Sequence, residues 1–398
     1  MPPESQIPTA ADRAARRFAA RLALFYGALF GLTGTELPFF PVWLRAVGID
    51  PWWIGIISAV PAVTRFTTLP FVTSFAEKRH ALRGALIVTA TACTFGFAIV
   101  GTQHQTIAVF LAFVATACAW TPMVPLTDAY ALRGVVRYGI NYGPVRLWGS
   151  AAFILGALAC GLVIDVIDPR RLIWIIVAVA GLAALTSLAL QPLDTPPQAA
   201  ATHPRDHRLL RDLGFLAIIV ASALIQGSHA AYYTFSAITW QAHGLGGFTI
   251  AALWALGVLA EIVVFAASPR FTLAPSMLVT IGALSAVARW SITAQEPQLA
   301  LLGLVQLAHG LTFGLTQVGT MELLVRHVPV HMMARGQGYY TACSGILSSC
   351  ASIVSGAIYA HYGQGVYYLM AAMAASGAML MWLARHRLAQ PHSAASGG

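Results

Sequence analysis

The chain has 398 residues, 58% hydrophobic and 9% charged, with a mean hydropathy of +0.72 and a formal net charge of +9. A soluble domain carries about a quarter charged residues, so this composition excludes a soluble enzyme or binding module and marks an integral membrane protein. The positive charge would suit nucleic acid, but it is spread over short stretches between apolar runs, which assigns it to membrane topology.

The opening stretch MPPESQIPTAADRAARR is polar and basic, without the pattern of a cleavable leader, and the first apolar run is expected to stay as an anchor. Twelve apolar runs predict an all-α membrane protein: 18–47, 52–76, 84–102, 106–132, 144–166, 171–191, 212–241, 247–267, 274–294, 298–324, 337–361 and 365–385. Each is near the ~20 residues that cross ~30 Å of hydrocarbon. Of the 23 basic residues, all but Arg45, Arg65, Arg170, Arg171 and Arg289 lie before or in the first turn of the first run, or from the end of an even-numbered run to no further than the first turn of the next. The positive-inside rule then puts both termini in the cytoplasm, with the plasma (bacterial inner) membrane as the expected location. The five cysteines fall inside predicted spans without CxxC spacing, so neither a disulfide nor a metal site is expected.

In chain order, span 1 contains FGLTGTELPFFPVWL (30–44), where Glu36 places a carboxylate at membrane depth. An ionised group there costs at least roughly 3 kcal/mol. Tyr26, Thr33, Glu36, Phe40 and Trp43 share one helix face. Arg65 lies about 13 residues into span 2, roughly 20 Å deep at ~1.5 Å per residue. Span 4 offers Thr116, Trp120, Met123 and Thr127, and ends with Asp128 near Arg133; Arg146 enters span 5. Span 7 carries the stripe Ser222, Gln226, His229, Tyr233, Ser236 and Trp240. Glu261 sits about 13 residues into span 8, at the depth of Arg65. Arg289, beside Trp290 near the outer end of span 9, is expected to snorkel to the interface. Span 10 offers Gln306, His309, Phe313, Gln317 and Thr320, then Glu322 near Arg326, and Arg335 enters span 11.

Each group has a structural reading beside the functional one. Tyr26, Trp43 and Trp240 suit an interfacial aromatic belt as well as a cavity. Arg65 can pair with Glu36 or with Glu261, as a structural bridge between helices or as part of substrate or proton handling. His229 and His309 can carry protons or serve as satisfied interhelical hydrogen-bonding groups. Asp128, Glu322, Arg146, Arg289 and Arg335 are read as gating or structural residues.

The longest internal polar stretch, PLDTPPQAAATHPRDHRLLRD (192–212), has the proline and charge content of a linker. It divides the chain into six-helix bundles at 1–191 and 213–398. A shift of 196 residues sets VGIDPWWIGIISAVPAVTR (47–65) on HGLGGFTIAALWALGVLAE (243–261), with Gly48 on Gly244, Ile54 on Ile250 and Arg65 on Glu261. Two related halves with a midplane site between them form a known transporter design.

The segments YGPVRLWGS (142–150), PLTDAYAL (125–132), LWALGVLAE (253–261), ARW (288–290), HGLTFGL (309–315) and RGQG (335–338) occur in the order that the chain's overall likeness requires. By these, the chain resembles the major facilitator superfamily, in the branch of phenylpropionate permeases and their lactose- and nucleoside-symporter-like relatives. The resemblance implies two pseudo-symmetric six-helix bundles, with spans 1, 4, 7 and 10 lining a central cavity. Two departures stand out. The loop after span 2 is degraded to TSFAEKRHALR (73–83), with Glu77 in the aspartate place, and span 5 lacks the glycine-proline signature of drug/proton antiporters.

Nothing in the chain reads as an enzyme or an ATP-driven pump, since GxxxxGK[ST], HExxH and GxSxG are all absent. No cofactor is expected. The expectation is a monomeric, proton-coupled symporter importing a small organic solute, best an aromatic carboxylic acid such as a phenylpropionate. Proton coupling is assigned to Glu36, Glu261 and His309. Substrate binding is assigned to Arg65, Phe40, Trp120, Gln226, His229, Tyr233 and Gln306. The alternatives are symport of a neutral sugar or nucleoside, efflux, and a transport-inactive receptor.

Overall fold

Inside hydrocarbon every backbone N–H and C=O must be satisfied within its own segment, and the apolar runs form helices accordingly. The computed structural model describes residues 10–79, 81–140, 142–193, 208–329 and 332–388. The membrane helices are α1 (Ala10–Ala46), α2 (Pro51–Lys78), α3 (Leu82–Thr102), α4 (Thr106–Tyr138), α5 (Tyr142–Ile164), α6 (Leu172–Leu188), α7 (Leu213–Ala242), α8 (Gly247–Ala267), α9 (Pro275–Thr293), α10 (Leu299–His327), α11 (Met333–Tyr362) and α12 (Val366–Leu388). Eleven stretches are long and apolar enough to span; the last, of 54 residues, contains both α11 and α12, separated at Gly363–Gly365. The twelve expected helices are therefore present. Most of the expected linker, residues 194–207, lies outside the described residues, as do the side chains of Glu77 and Lys78.

With twelve crossings both ends of the chain emerge on one face, here termed the terminal face. The turns after α1, α3, α5, α7, α9 and α11 form the distal face.

Packing within the first six helices recurs in the second six. α1 packs on α5 and α6 as α7 packs on α11 and α12, and α3 packs on α4 and α6 as α9 packs on α10 and α12. The repeat is also visible at single-residue level. Gly48 and Gly244, 196 positions apart, both take left-handed φ angles, 91° and 81°, which glycine adopts without the penalty other residues meet. Each ends its helix with the same three bonds: Val47, Gly48 and Ile49 N–H donate to Trp43, Arg45 and Leu44, as His243, Gly244 and Leu245 donate to Thr239, Gln241 and Trp240.

The halves meet along three seams, α1 on α7, α2 on α11 and α5 on α8. The α2–α11 contact runs from Gly55 beside Gly356 to Phe66 beside Gly345, with Ser349 Oγ donating to Ala59 O at 3.4 Å. In the α5–α8 seam Gly161 lies against Gly247. Asp165, just beyond α5, accepts from the N–H groups of Gly247 at 2.6 Å and Phe248 at 3.3 Å, capping α8 from the other half. These contacts occupy the distal part of the molecule. Arg65, midway along α2, is by contrast exposed.

Candidate functional site

Irregular backbone at membrane depth is tolerated where it lines a cavity or is buried in protein, and three of the helices expected to line the cavity have it. α4 breaks at Thr121–Pro122 and α7 at Ser228–His229, while α10 widens into a π-helix at Gly310–Leu315, directly after His309. α1 carries Pro38 and Pro41 just past Glu36, removing two backbone donors.

The densest polar cluster lies inside the second half, around Arg289. Arg289 is 1% exposed, so it does not snorkel to the interface. Its three acceptors lie on α10, deep in the protein, and hold it there. Nη1 donates to His309 Nδ1 at 2.9 Å and to Thr312 Oγ1 at 3.1 Å, and Nη2 donates to Gln306 Oε1 at 3.0 Å. Its guanidinium also lies over the rings of Trp290 at 4.5 Å and Tyr232 at 4.9 Å, an attraction that strengthens away from water. Tyr232 in turn stacks on Trp254 at 4.6 Å.

An arginine can only donate, so His309 Nδ1 is an acceptor and Nε2 carries the ring hydrogen. Nε2 lies 3.7 Å from Glu261 Oε2 of α8. His229 is fully buried; its Nδ1 donates to Ile225 O at 3.2 Å, and its Nε2 meets Thr312 Oγ1 at 3.0 Å. Trp290 Nε1 donates to Ser228 Oγ at 3.0 Å beside it.

In the first half Glu36 is 5% exposed and its Oε2 meets no donor. Its electrostatic neighbour is Cys93 of α3. Among the described residues Arg65 forms an ion pair with neither Glu36 nor Glu261. Arg65 is instead within electrostatic range of Tyr233 of α7, as is Glu261. Glu261 feels Arg146 of α5 across the seam.

The cavity surface is formed by fewer residues than helix periodicity indicates. Arg65 is exposed, and Trp120, Gln226 and Tyr233 are half-buried. Gln226 donates to Gln317 Oε1 at 3.5 Å, while its own Oε1 is unpartnered. Phe40 is instead packed inside the first half, 4.6 Å from Phe113 and 5.6 Å from Trp43 between ring centroids. His229 and Gln306 lie behind the wall, held by the Arg289 cluster. A three-to-four residue step identifies the face of a helix but not what covers it.

Toward the terminal face, Asp128 Oδ1 accepts from Tyr26 at 2.5 Å and Tyr142 at 3.0 Å, tying α1, α4 and α5 together. Arg146 lies over Phe30 at 4.1 Å, Glu322 pairs with Arg326 one turn on, and Arg335 is part-exposed at the start of α11. Thr312, Tyr232 and Asp165 are the participants that sequence reasoning did not single out. Thr312 was within reach, three residues beyond His309 in HGLTFGL.

Comparison with known proteins agrees with this architecture. Residues 19–370 match the MFS_1 like family. The chain is 32% identical over 361 residues to the "Probable 3-phenylpropionic acid transporter" of Escherichia coli (strain K12), covering 89% of this chain and 94% of that protein. It is 27% identical over 359 residues to the "Maltose permease" of Geobacillus stearothermophilus, covering 87% and 89%. Among solved structures, the nucleoside transporter NupG superposes with a TM-score of 0.80 at 15% identity, over 92% of this chain and 99% of that one. A D-xylose-proton symporter gives 0.67 at 12% identity, over 92% and 97%.

Proposed function

This chain belongs to the MFS_1 like family of major facilitator transporters, and we propose that within it the protein is a proton-coupled importer of an aromatic carboxylic acid. The observation that carries this reading is Arg65, an exposed cation at mid-depth with no acidic partner among the described residues. A carboxylate complements a guanidinium fork, and the half-buried Trp120 and Tyr233 offer ring surface for an aromatic body. The relative named for 3-phenylpropionic acid supports the same class. A neutral sugar or nucleoside would leave Arg65 without a counter-charge, which disfavours that reading.

Protons are assigned to Glu36, Glu261 and His309. Glu36 has an oxygen without a donor, a costly place for a bare charge and a natural one for a proton. Glu261, with the His309 ring hydrogen turned toward it, is a second carboxylate that can take up and release a proton. Asp128, Arg146, Glu322 and Arg335 are assigned to closing the terminal mouth. With the basic loops in the cytoplasm, the terminal face is inward, and the close contacts Gly55–Gly356 and Gly161–Gly247 lie on the outer side. One chain encloses the cavity, so a monomer in the inner membrane suffices.

The test is competition for uptake into proteoliposomes. The proposal expects 3-phenylpropionate to compete and its amide and maltose not to. Competition by maltose with none by the acid overturns it.

A further inference from the structure

The cluster around Arg289 contains one hydroxyl whose hydrogen-bond direction is set at both ends. His229 Nδ1 faces the Ile225 carbonyl and must donate to it, which leaves His229 Nε2 as an acceptor. Thr312 Oγ1, at 3.0 Å, therefore gives its hydrogen to His229 Nε2 and turns its lone pairs toward Arg289. Arg289 Nη1 has two hydrogens; one goes to Thr312 and the other to His309 Nδ1. With Nδ1 occupied by a donor, His309 keeps its own hydrogen on Nε2, aimed at Glu261. The His309 carbonyl, 3.3 Å from Thr312 Oγ1, is a second and longer acceptor for the same hydroxyl hydrogen. Thr312 is completely buried, so no bulk water stands ready to replace its hydroxyl. It sits in the π-helical segment of α10, where Gly310 and Gly314 press on Ala260 and Val264, on either side of Glu261. A π turn inside a transmembrane helix frequently marks a functional position.

We propose that Thr312 is a positioning residue for the coupled proton: it holds Arg289 against His309 Nδ1, so that His309 stays neutral and turns its Nε2 hydrogen toward Glu261, the carboxylate that takes up and releases the proton. The proposal rests on the assignment of proton coupling to His309 and Glu261. The ionisable groups facing this cluster are Glu261 from α8, Arg289 from α9, His229, Tyr232 and Tyr233 from α7, Tyr367 from α12 and, across the seam, Arg146 from α5. Tyr232 is a second hydroxyl partner of Arg289, but Thr312 is the one that joins Arg289 to His229 Nε2. Valine matches threonine in shape but removes the hydroxyl, leaving an Arg289 hydrogen and His229 Nε2 unpaired.

The experiment uses the full chain in proteoliposomes with 3-phenylpropionate as probe, comparing accumulation driven by an external acid gradient with exchange between equal pools. In Thr312→Val the ratio of accumulation to exchange falls at least about tenfold, the scale of one orphaned buried partner. Thr312→Ser, which restores the hydroxyl, returns the ratio close to the parent's, and Thr312→Ala matches Val, showing that the loss follows the hydroxyl and not the volume. A parent-like ratio in Thr312→Val overturns the proposal while leaving the coupling assignment in place. Accumulation and exchange falling together, or Val and Ala both failing to insert, makes Thr312 a packing residue and also overturns it. A parent that ignores the acid gradient overturns the coupling assignment itself, and this proposal with it.

Discussion

The α5–α8 seam makes a quantitative demand on Gly161. A Cβ built there would lie 2.5 Å from Gly247 O and 2.8 Å from Ala251 Cβ. Neither neighbour is the free end of a flexible side chain, so Gly161→Ala relieves the overlap by parting α5 from α8. Overpacking of this kind costs about 1–3 kcal/mol. Replacing a mid-helix glycine by alanine also improves helix propensity, by roughly 1 kcal/mol, but that gain is present whether the distal face is open or closed and cancels from the equilibrium between them. The remaining penalty falls on the distally closed form and shifts the population toward distal opening by about 5- to 150-fold. The assay is maleimide labelling in detergent of Ile54→Cys, a completely buried position next to Gly55 of the distal α2–α11 contact, in a chain whose five native cysteines are replaced by serine. Gly161→Ala should speed labelling by at least the lower end of that range. An unchanged rate, in protein that still binds substrate, would refute the view that this glycine contact holds the distal face shut.

Arg289→Lys should lower stability by about 2–4 kcal/mol, because a lysine nitrogen cannot serve His309, Thr312 and Gln306 together and each orphaned acceptor costs about 1–3 kcal/mol; an unchanged melting temperature in detergent contradicts this. Glu36→Gln should lower the ratio of acid-driven accumulation to equilibrium exchange, whereas equal loss of both would make Glu36 structural. A parent-like ratio would move the proton to Glu261 or His309. Since Arg65 and Glu261 do not touch in this conformation, reversing both charges should restore no more uptake than the worse single reversal, and substantial rescue would show that they pair in another state of the cycle.

The fold was legible because the bilayer makes it so. Span length, loop charge and the 196-residue shift each follow from a physical constraint, and the shift reappears as matching left-handed turns at Gly48 and Gly244. The interior of the site was less legible. Arg289 looked peripheral because its position along span 9 suggested a short reach to the interface, but reach says nothing of acceptors on a neighbouring helix. Three such acceptors lie on α10, and they turn the side chain inward. His229 and Gln306 fell on the expected cavity faces, yet the same cluster draws them behind the wall. Arg65 and Glu261 occupy matching positions of the repeat, but they form no ion pair here, and pairing between the halves is something no local pattern encodes.

The central claim is that movement of an aromatic acid is driven by protons. Its most direct test is the accumulation of radiolabelled 3-phenylpropionate by purified protein in liposomes whose interior is held at neutral pH while the exterior is made acidic. The account predicts accumulation above the external concentration, collapsing when a protonophore is added, and near-complete loss in Arg65→Met. Equilibration that never exceeds the external concentration and is indifferent to the protonophore would contradict it.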